Sequence, residues 1–573
     1  MQKSIHKTLI YLFVVTLTMS CSKKEQNDHS NLEEVELQFQ AMEENEFALD
    51  KINSTKAPQN QNNDSLGKHI NTQKGNDFHV AMFVNEPPSS TKENNKLAIT
   101  KPKDIKNKLL GLTNVSDKIK YRVYVYRPGN NTWQTAVFSS NDNSWATNHI
   151  TIYKNIAYEW YAYSNNTTDE ADVPDIRSGN DLIVNSQNKD LMWASGTIAA
   201  SSISTNERLL IKFKHALARI ELNFDYRGLF VNSFAGNNAF TFTPTFYDTP
   251  TTTTSLQKGN LNIKNGAMTG VSNYTPTNNP IFLESGFYDR QRYYYYTAAD
   301  QSLSKVRVTY NNLNYTTYDG LNVVYNTASS KFIEIKKPSS NIPLQIGRNS
   351  QLNLLFIESP VSAGSLTTEW ARANVYYAGN TARNPYRFRR QSSQGINGDN
   401  TPNDTYTTRK HNAKDQDLFM KQSYIPDSYM NRNSSGDAYG LGDPCALVLP
   451  AGAWKTASVQ NYQNLIALNT PKTSTYYKTT NHVNLLFNTN NMGSPYDSRF
   501  LIFERNGLID NANLNVSNTT TGYYWTDTPN GGIKSGVIFR VTGNNSDTWN
   551  MGMVDQVSQT CLSVRCVRTT LYQ

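Results

Sequence analysis

The chain has 573 residues, with 55 Lys and Arg against 47 Asp and Glu, so its formal net charge of +8 is spread thinly over a long polymer. No dense basic stripe interleaved with aromatics occurs, which argues against a nucleic-acid partner, and 38% apolar with 18% charged residues fits a folded protein. The 34 tyrosines, with abundant Asn and Thr, favour strands joined by polar turns, and the length suggests three or four domains.

The first residues read as an export signal. A basic start to Lys7, the short apolar run Leu9–Leu17 and Thr18-Met19-Ser20 before Cys21 form the pattern of a lipoprotein signal peptide, with residues 1–20 removed and lipid carried on Cys21. The run falls well short of the ~20 residues needed to span a bilayer, so membrane attachment is expected through the lipid anchor, at the outer membrane and cell surface. A plain secretory peptide is the alternative. Residues 21–109, rich in Lys, Glu, Asn, Asp and Gln, are expected to form a polar tether. Within them Leu32–Leu49 reads either as a short acidic helix or as a solvated charged segment.

Strand alternation begins at Ile119, Tyr121, Val123 and Val125, and continues through Ile150–Tyr153 into Tyr158–Tyr163. Leu210–Lys214 and Ala218–Phe224 repeat it. In the latter, Ala218, Ile220, Leu222 and Phe224 are expected inward and Arg219, Glu221 and Asn223 outward. Further on, Phe240–Thr243, Arg292–Tyr296, Lys305–Tyr310 and Leu352–Ile357 read as strands, and Asn265-Gly266 as a hairpin turn. Almost no long helical period appears.

Four stretches, Tyr121–Tyr126, Tyr161–Asn166, Leu191–Gly196 and Phe213–Leu222 with its Phe-Lys-His-Ala-Leu-Ala string, occur in an order that resembles the fimbrillin family, the lipoprotein subunits and accessory proteins of Bacteroidales type V pili. The resemblance covers roughly residues 110–360. It implies two transthyretin-like β-sandwich domains in series, 110–227 and 228–360, with other fimbrial subunits as partners and assembly by strand complementation. His215, inside the string, reads as a strand-end core residue. Family subunits are usually trimmed at an arginine ahead of the first domain. Here no arginine precedes Arg122, inside a predicted strand, which leaves tip and anchor positions both open.

A composition shift marks residues 361–440 as a connecting region and 441–573 as a further domain. After Cys21, the cysteines are Cys445, Cys561 and Cys566, enough for one disulfide and a spare thiol. Alternation in Cys561–Arg568 sets Leu562, Val564 and Cys566 on one face and Cys561, Ser563 and Arg565 on the other, so Cys566 reads as the inward partner of Cys445. Asp443-Pro-Cys445, Trp454, Tyr523-Tyr-Trp525 and Ser563–Val567 together resemble the major paralogous domain of Bacteroidota surface proteins. That resemblance implies a small disulfide-linked α+β domain similar to C-type lectins. The stretch Trp454-Lys-Thr-Ala-Ser458 departs from the family's usual Trp-Arg-x-Pro-Thr.

Catalysis has little support. The eight histidines are scattered without metal-ligand spacing, and neither a Gly-x-Ser-x-Gly elbow nor a phosphate loop occurs, so no enzymatic activity, metal or cofactor is expected. A second reading is a surface glycan-binding lipoprotein that uses Trp454, Trp525 and Trp549 as sugar-stacking platforms.

Overall fold

The computed structural model describes residues 33–44, 71–74, 78–85 and 112–114, most of 118–388, and stretches within 418–424 and 442–570. The chain is mainly β. No helix among the described residues is long and apolar enough to cross a membrane.

The first sandwich is built on an eight-stranded sheet. Its path runs Leu112–Asn114, Glu34–Glu44, Asn206–His215, Met192–Ala199, Ala157–Thr167, Lys120–Arg127 and Thr132–Ser139, with Thr151–Tyr153 also paired to Glu34–Glu44. The expected alternation of Tyr121, Val123 and Val125 points into one core with Val35, Leu37, Phe138, Trp160, Ile211 and Phe213. The opposite parity is buried too. Tyr124, Tyr161 and Tyr163 pack with Leu182, Val184 and Leu261 of a small four-stranded sheet and with Ile263 just beyond it. Two strands of that sheet, Arg177–Ser178 and Asp181–Asn185, come from the first sandwich; the other two, Leu256–Asn262 and Ala267–Tyr274, come from the second. This shared sheet stitches the sandwiches together. Its hairpin turns where expected, through Gly266 at φ +73°, where an added Cβ would lie 2.3 Å from the Trp193 ring.

In the second sandwich, a six-stranded sheet runs Ile281–Glu284, Phe287–Thr297, Ala218–Gly228, Asn349–Glu358, Phe78–Asn85 and Asn71–Lys74. It packs on a five-stranded sheet centred on Lys305–Thr317, around Phe224, Tyr226, Phe242, Tyr293, Tyr295, Leu352 and Phe356. Ala218–Gly228, placed by the sequence in the first sandwich, is thus a central strand of the second. The expected outward residues Arg219 and Glu221 are buried, because this sheet's second face is covered as well. The four-tyrosine run is equally enclosed: Tyr293, Tyr295 and Tyr296 are buried and Tyr294 half-buried.

Two further expectations require correction. Residues 21–109 are not a tether throughout, since Glu34–Glu44 and Phe78–Asn85 are strands, one in each sandwich. Nor is Leu32–Leu49 a helix across those residues: in Glu34–Glu44, Val35, Leu37, Phe39 and Ala41 alternate with Glu and Gln, a period of two that buries one face. The connecting region is not separate either. Ala371, Val375, Tyr386, Phe388 and Phe419 share a core with Cys445, Trp454, Trp525 and Cys566. That core also takes in Ala81, Phe230 and Ile357 of the second sandwich. Gly228 marks the contact, where a Cβ would meet Phe356 O at 2.4 Å and Leu449 O at 2.8 Å.

The last region contains a helix, Val459–Leu468, that buries Tyr462 and Leu465. Ser458 and Asn461 cap it reciprocally: the Asn461 amide donates to Ser458 Oγ at 3.2 Å and the Ser458 amide to Asn461 Oδ1 at 2.8 Å. Tyr462 stacks on Phe539, of the strand Ser535–Thr542, with ring centroids 4.6 Å apart.

Candidate functional site: a slot filled by an N-terminal strand

The strand Glu34–Glu44 enters the first sandwich from far away in sequence. It lies parallel to Asn206–His215 in an unbroken register from Glu36 opposite Asn206 to Glu43 opposite Phe213. Its two ends are paired on the other side, Glu34–Glu36 with Thr151–Tyr153 and Met42–Glu44 with Leu112–Asn114, both antiparallel. Between those ends Leu37 N–H donates to Ile150 O at 2.9 Å.

Buried Val35, Leu37, Ala41 and Met42 supply apolar contact, and the Phe39 ring sits 4.4 Å from that of Phe138. With a buried Val, Leu or Met side chain worth roughly 1.5–3 kcal/mol, the strand contributes on the order of 5 kcal/mol of burial. Its polar face is held loosely at the surface: Glu33 pairs with Lys154, Glu36 Oε1 lies 2.7 Å from His149 Nδ1, and Arg208 donates to Gln40 Oε1 at 2.6 Å. Exposed pairs of this kind add little each. The slot is therefore held by main-chain hydrogen bonds and alternate apolar side chains, the chemistry by which a separate strand can also be accepted.

A second insertion repeats the arrangement. Phe78–Asn85 pairs antiparallel with Asn349–Glu358, from Phe78 opposite Glu358 to Asn85 opposite Gln351, and buries Phe78, Val80, Ala81 and Met82.

At the opposite end of the chain, Cys566–Arg568 pairs with Trp454–Thr456, and Cys566 is bonded to Cys445 with Cα atoms 5.7 Å apart. Arg568 Nη2 donates to Glu358 O at 2.7 Å, and Arg565 Nη1 to Ala371 O at 3.2 Å. Both faces of this terminal run are buried, Cys561 included, so the alternation that singled out Cys566 does not separate core from solvent. Burial pushes the nearby Glu358 carboxyl up to about 7, against the opposing pull of Arg372 and Arg568.

Trp454 and Trp525 are buried and offer no exposed ring face to a sugar. Trp454 is buried beneath the Arg568 guanidinium, 3.9 Å from its ring centroid, and Trp525 is buried with its Nε1–H donating to Phe419 O at 2.8 Å. Both rings fill the core, and Trp525 also uses its polar N–H there. Trp549 and Cys21 lie outside the described residues. His215 is a buried residue at the end of its strand, 2.7 Å from Asp190. Sequence reasoning missed both inserted strands. Among the described residues, no group of three or more His, Cys, Asp and Glu is placed to hold a metal ion.

No protein-family model matches the chain, and no curated protein matches it. Solved structures similar to part of it include a candidate cell adhesion protein of Bacteroides ovatus, 14% identical over 44% of this chain and 91% of that one, with a TM-score of 0.24. A candidate polysaccharide-binding protein of Bacteroides thetaiotaomicron is 12% identical over 42% and 83%, with a TM-score of 0.23. A fimbrial assembly protein of Parabacteroides distasonis is 8% identical over 42% and 87%, with a TM-score of 0.21.

Proposed function

We propose that this chain is an exported fimbrial accessory or tip subunit that mediates surface adhesion and joins its filament by strand complementation. The observation that carries the reading is the strand Glu34–Glu44 seated in its slot beside Asn206–His215. Removing it would leave the main-chain groups along that edge without partners and expose the apolar surface that Val35, Leu37, Ala41 and Met42 cover. A strand from a neighbouring subunit with the same alternation would restore both, so the partners are other fimbrial subunits.

The other half of such a joint is a strand free to leave its own domain. The C-terminal strand Cys566–Arg568 is buried, paired and tied by the disulfide, which suits a subunit that accepts a strand without donating one. That favours an end of the filament over its repeating stalk. The signal-like start and Cys21 fit a lipoprotein that reaches the outer membrane and cell surface before assembly.

The test is the N-terminal sequence and lipidation of the mature protein, with and without shearing of surface filaments. A delipidated chain that begins beyond residue 44 and travels with sheared filaments is the expected result. A chain retained on cells with lipidated Cys21 and an intact Glu34–Glu44 would overturn incorporation by strand exchange.

A further inference from the structure

The sheet of the first sandwich curls around one core, which Val123, Phe138, Ile152, Trp160 and Ile211 reach from five different strands. Main-chain ladders join these strands in turn, but a seam separates Thr132–Ser139 from Thr151–Tyr153. No strand pairing crosses it among the described residues. Side-chain amides bridge it instead. Gln134 Nε2 donates to Thr151 O at 2.6 Å, and Thr151 N–H donates back to Gln134 Oε1 at 3.1 Å. Asn148 Nδ2 donates to Val137 O at 2.6 Å. The Gln134 amide thus stands in for a paired main-chain residue.

Residues 148–153 are engaged along both edges. Towards the seam they present the Thr151 main chain. Towards the inserted strand Glu34–Glu44 they present Ile150, whose carbonyl accepts from Leu37 N–H at 2.9 Å, and His149, with Nδ1 2.7 Å from Glu36 Oε1. Thr151–Tyr153 also pairs antiparallel with residues 34–36. Just beyond, Asn155 takes a left-handed turn at φ +58°, and its N–H donates to Ala200 O at 3.0 Å. The segment is therefore anchored at one end and held across the seam by side chains.

A strand paired on both edges must break two ladders to leave its sheet, whereas an edge strand must break one. Eight consecutive residue pairs join residues 36–43 to residues 206–213. Gln134 is exposed, so water readily replaces the hydrogen bonds it makes.

We propose that residues 148–153 form a gate over the inserted strand, latched to Thr132–Ser139 by Gln134 and Asn148, and that strand exchange begins when this latch opens. With the gate swung aside, the start of Glu34–Glu44 becomes an edge at which an incoming strand can pair and displace it. Burial of Ile150 and Ile152 drives the gate closed again. The inference rests on the strand-accepting reading of the slot and adds the side from which the slot opens.

The test compares the full chain with Gln134→Ala, a change at an exposed position that removes two of the latching hydrogen bonds. Hydrogen–deuterium exchange, read by mass spectrometry, should quicken about tenfold in residues 148–153 and at Leu37, and stay unchanged in residues 120–127 and 218–228. In chains cleaved after residue 44, a labelled Glu34–Glu44 peptide should enter the variant about tenfold faster than the parent; adding Asn148→Ala should quicken entry further. The gate is overturned, and the slot left standing, if exchange in residues 148–153 is unchanged or quickens equally throughout the chain, or if parent and variant take up the peptide at the same rate. If neither cleaved chain takes up the peptide, strand acceptance itself fails and the gate with it.

Discussion

His215 Nδ1 lies 2.7 Å from Asp190 Oδ1 where the first sandwich hands the chain to the second. Asp190 Oδ2 also accepts from Asn166 Nδ2 at 2.9 Å and from Arg219 Nη1 at 3.5 Å, and both Asp190 and His215 are buried. The pair joins the end of Asn206–His215 to the beginning of Ala218–Gly228, beside the core that includes Tyr124, Tyr163, Leu217 and Tyr296.

Burial pushes the Asp190 carboxyl up, but His215 and then Arg219 more than reverse this, so its pKa is lowered in the folded protein. A lowered folded pKa gives stability that is present above the unfolded value of about 3.9 and lost as pH falls through the folded one. Asp190→Asn strands its buried partners and should cost about 3–5 kcal/mol at pH 7. Urea unfolding checks this: the loss should shrink in strong acid, and a loss under ~1 kcal/mol at neutral pH contradicts the assignment.

Glu358 has the opposite sign. Its folded pKa of about 7 stands above the usual carboxylate range, so ionisation costs stability as pH rises from the unfolded value of about 4.3 through the folded one. Glu358→Gln mimics the neutral form. Thermal melts should show it stabilising the chain at pH 8, by on the order of 1–3 kcal/mol, and having little effect at pH 5. Equal effects at both pH values would contradict a Glu358 that titrates between them.

The bond between Cys445 and Cys566 spans 121 residues of sequence. Closing so long a loop stabilises by about 4–5 kcal/mol on the chain-entropy model, an upper figure in practice. The double variant Cys445→Ser with Cys566→Ser should lower the denaturant midpoint of the C-terminal region by an amount equivalent to about 2–4 kcal/mol. A midpoint unchanged in the variant, or by reductant in the parent chain, would mean that the surrounding core holds the two chain segments together without it.

Much of the fold was legible because burial on one face leaves period-two alternation in the chain, as at Tyr121, Val123 and Val125. Where both faces are covered the signal misleads: Arg219 and Glu221 look like surface residues but are buried among partners, with Arg292 Nε 2.8 Å from Glu221 Oε1. The inserted strand was missed for another reason. Val35, Leu37, Phe39 and Ala41 alternate cleanly, but they lie within a segment whose average composition is polar, and parallel pairing with residues 206–213 leaves no local turn to announce it. Trp454 and Trp525 looked like binding candidates because residue type does not encode exposure; both fill a core drawn from chain segments more than 100 residues apart.

The proposed assembly requires that the slot beside Asn206–His215 accept a strand. It is tested most directly by inserting a specific protease site after residue 44, cleaving, and measuring uptake of a labelled Glu34–Glu44 peptide. The cleaved chain should lose stability when its strand is displaced, regain it with the peptide, and reject a peptide carrying Leu37→Asp. A cleaved chain that stays equally stable without the strand and takes up neither peptide would contradict it.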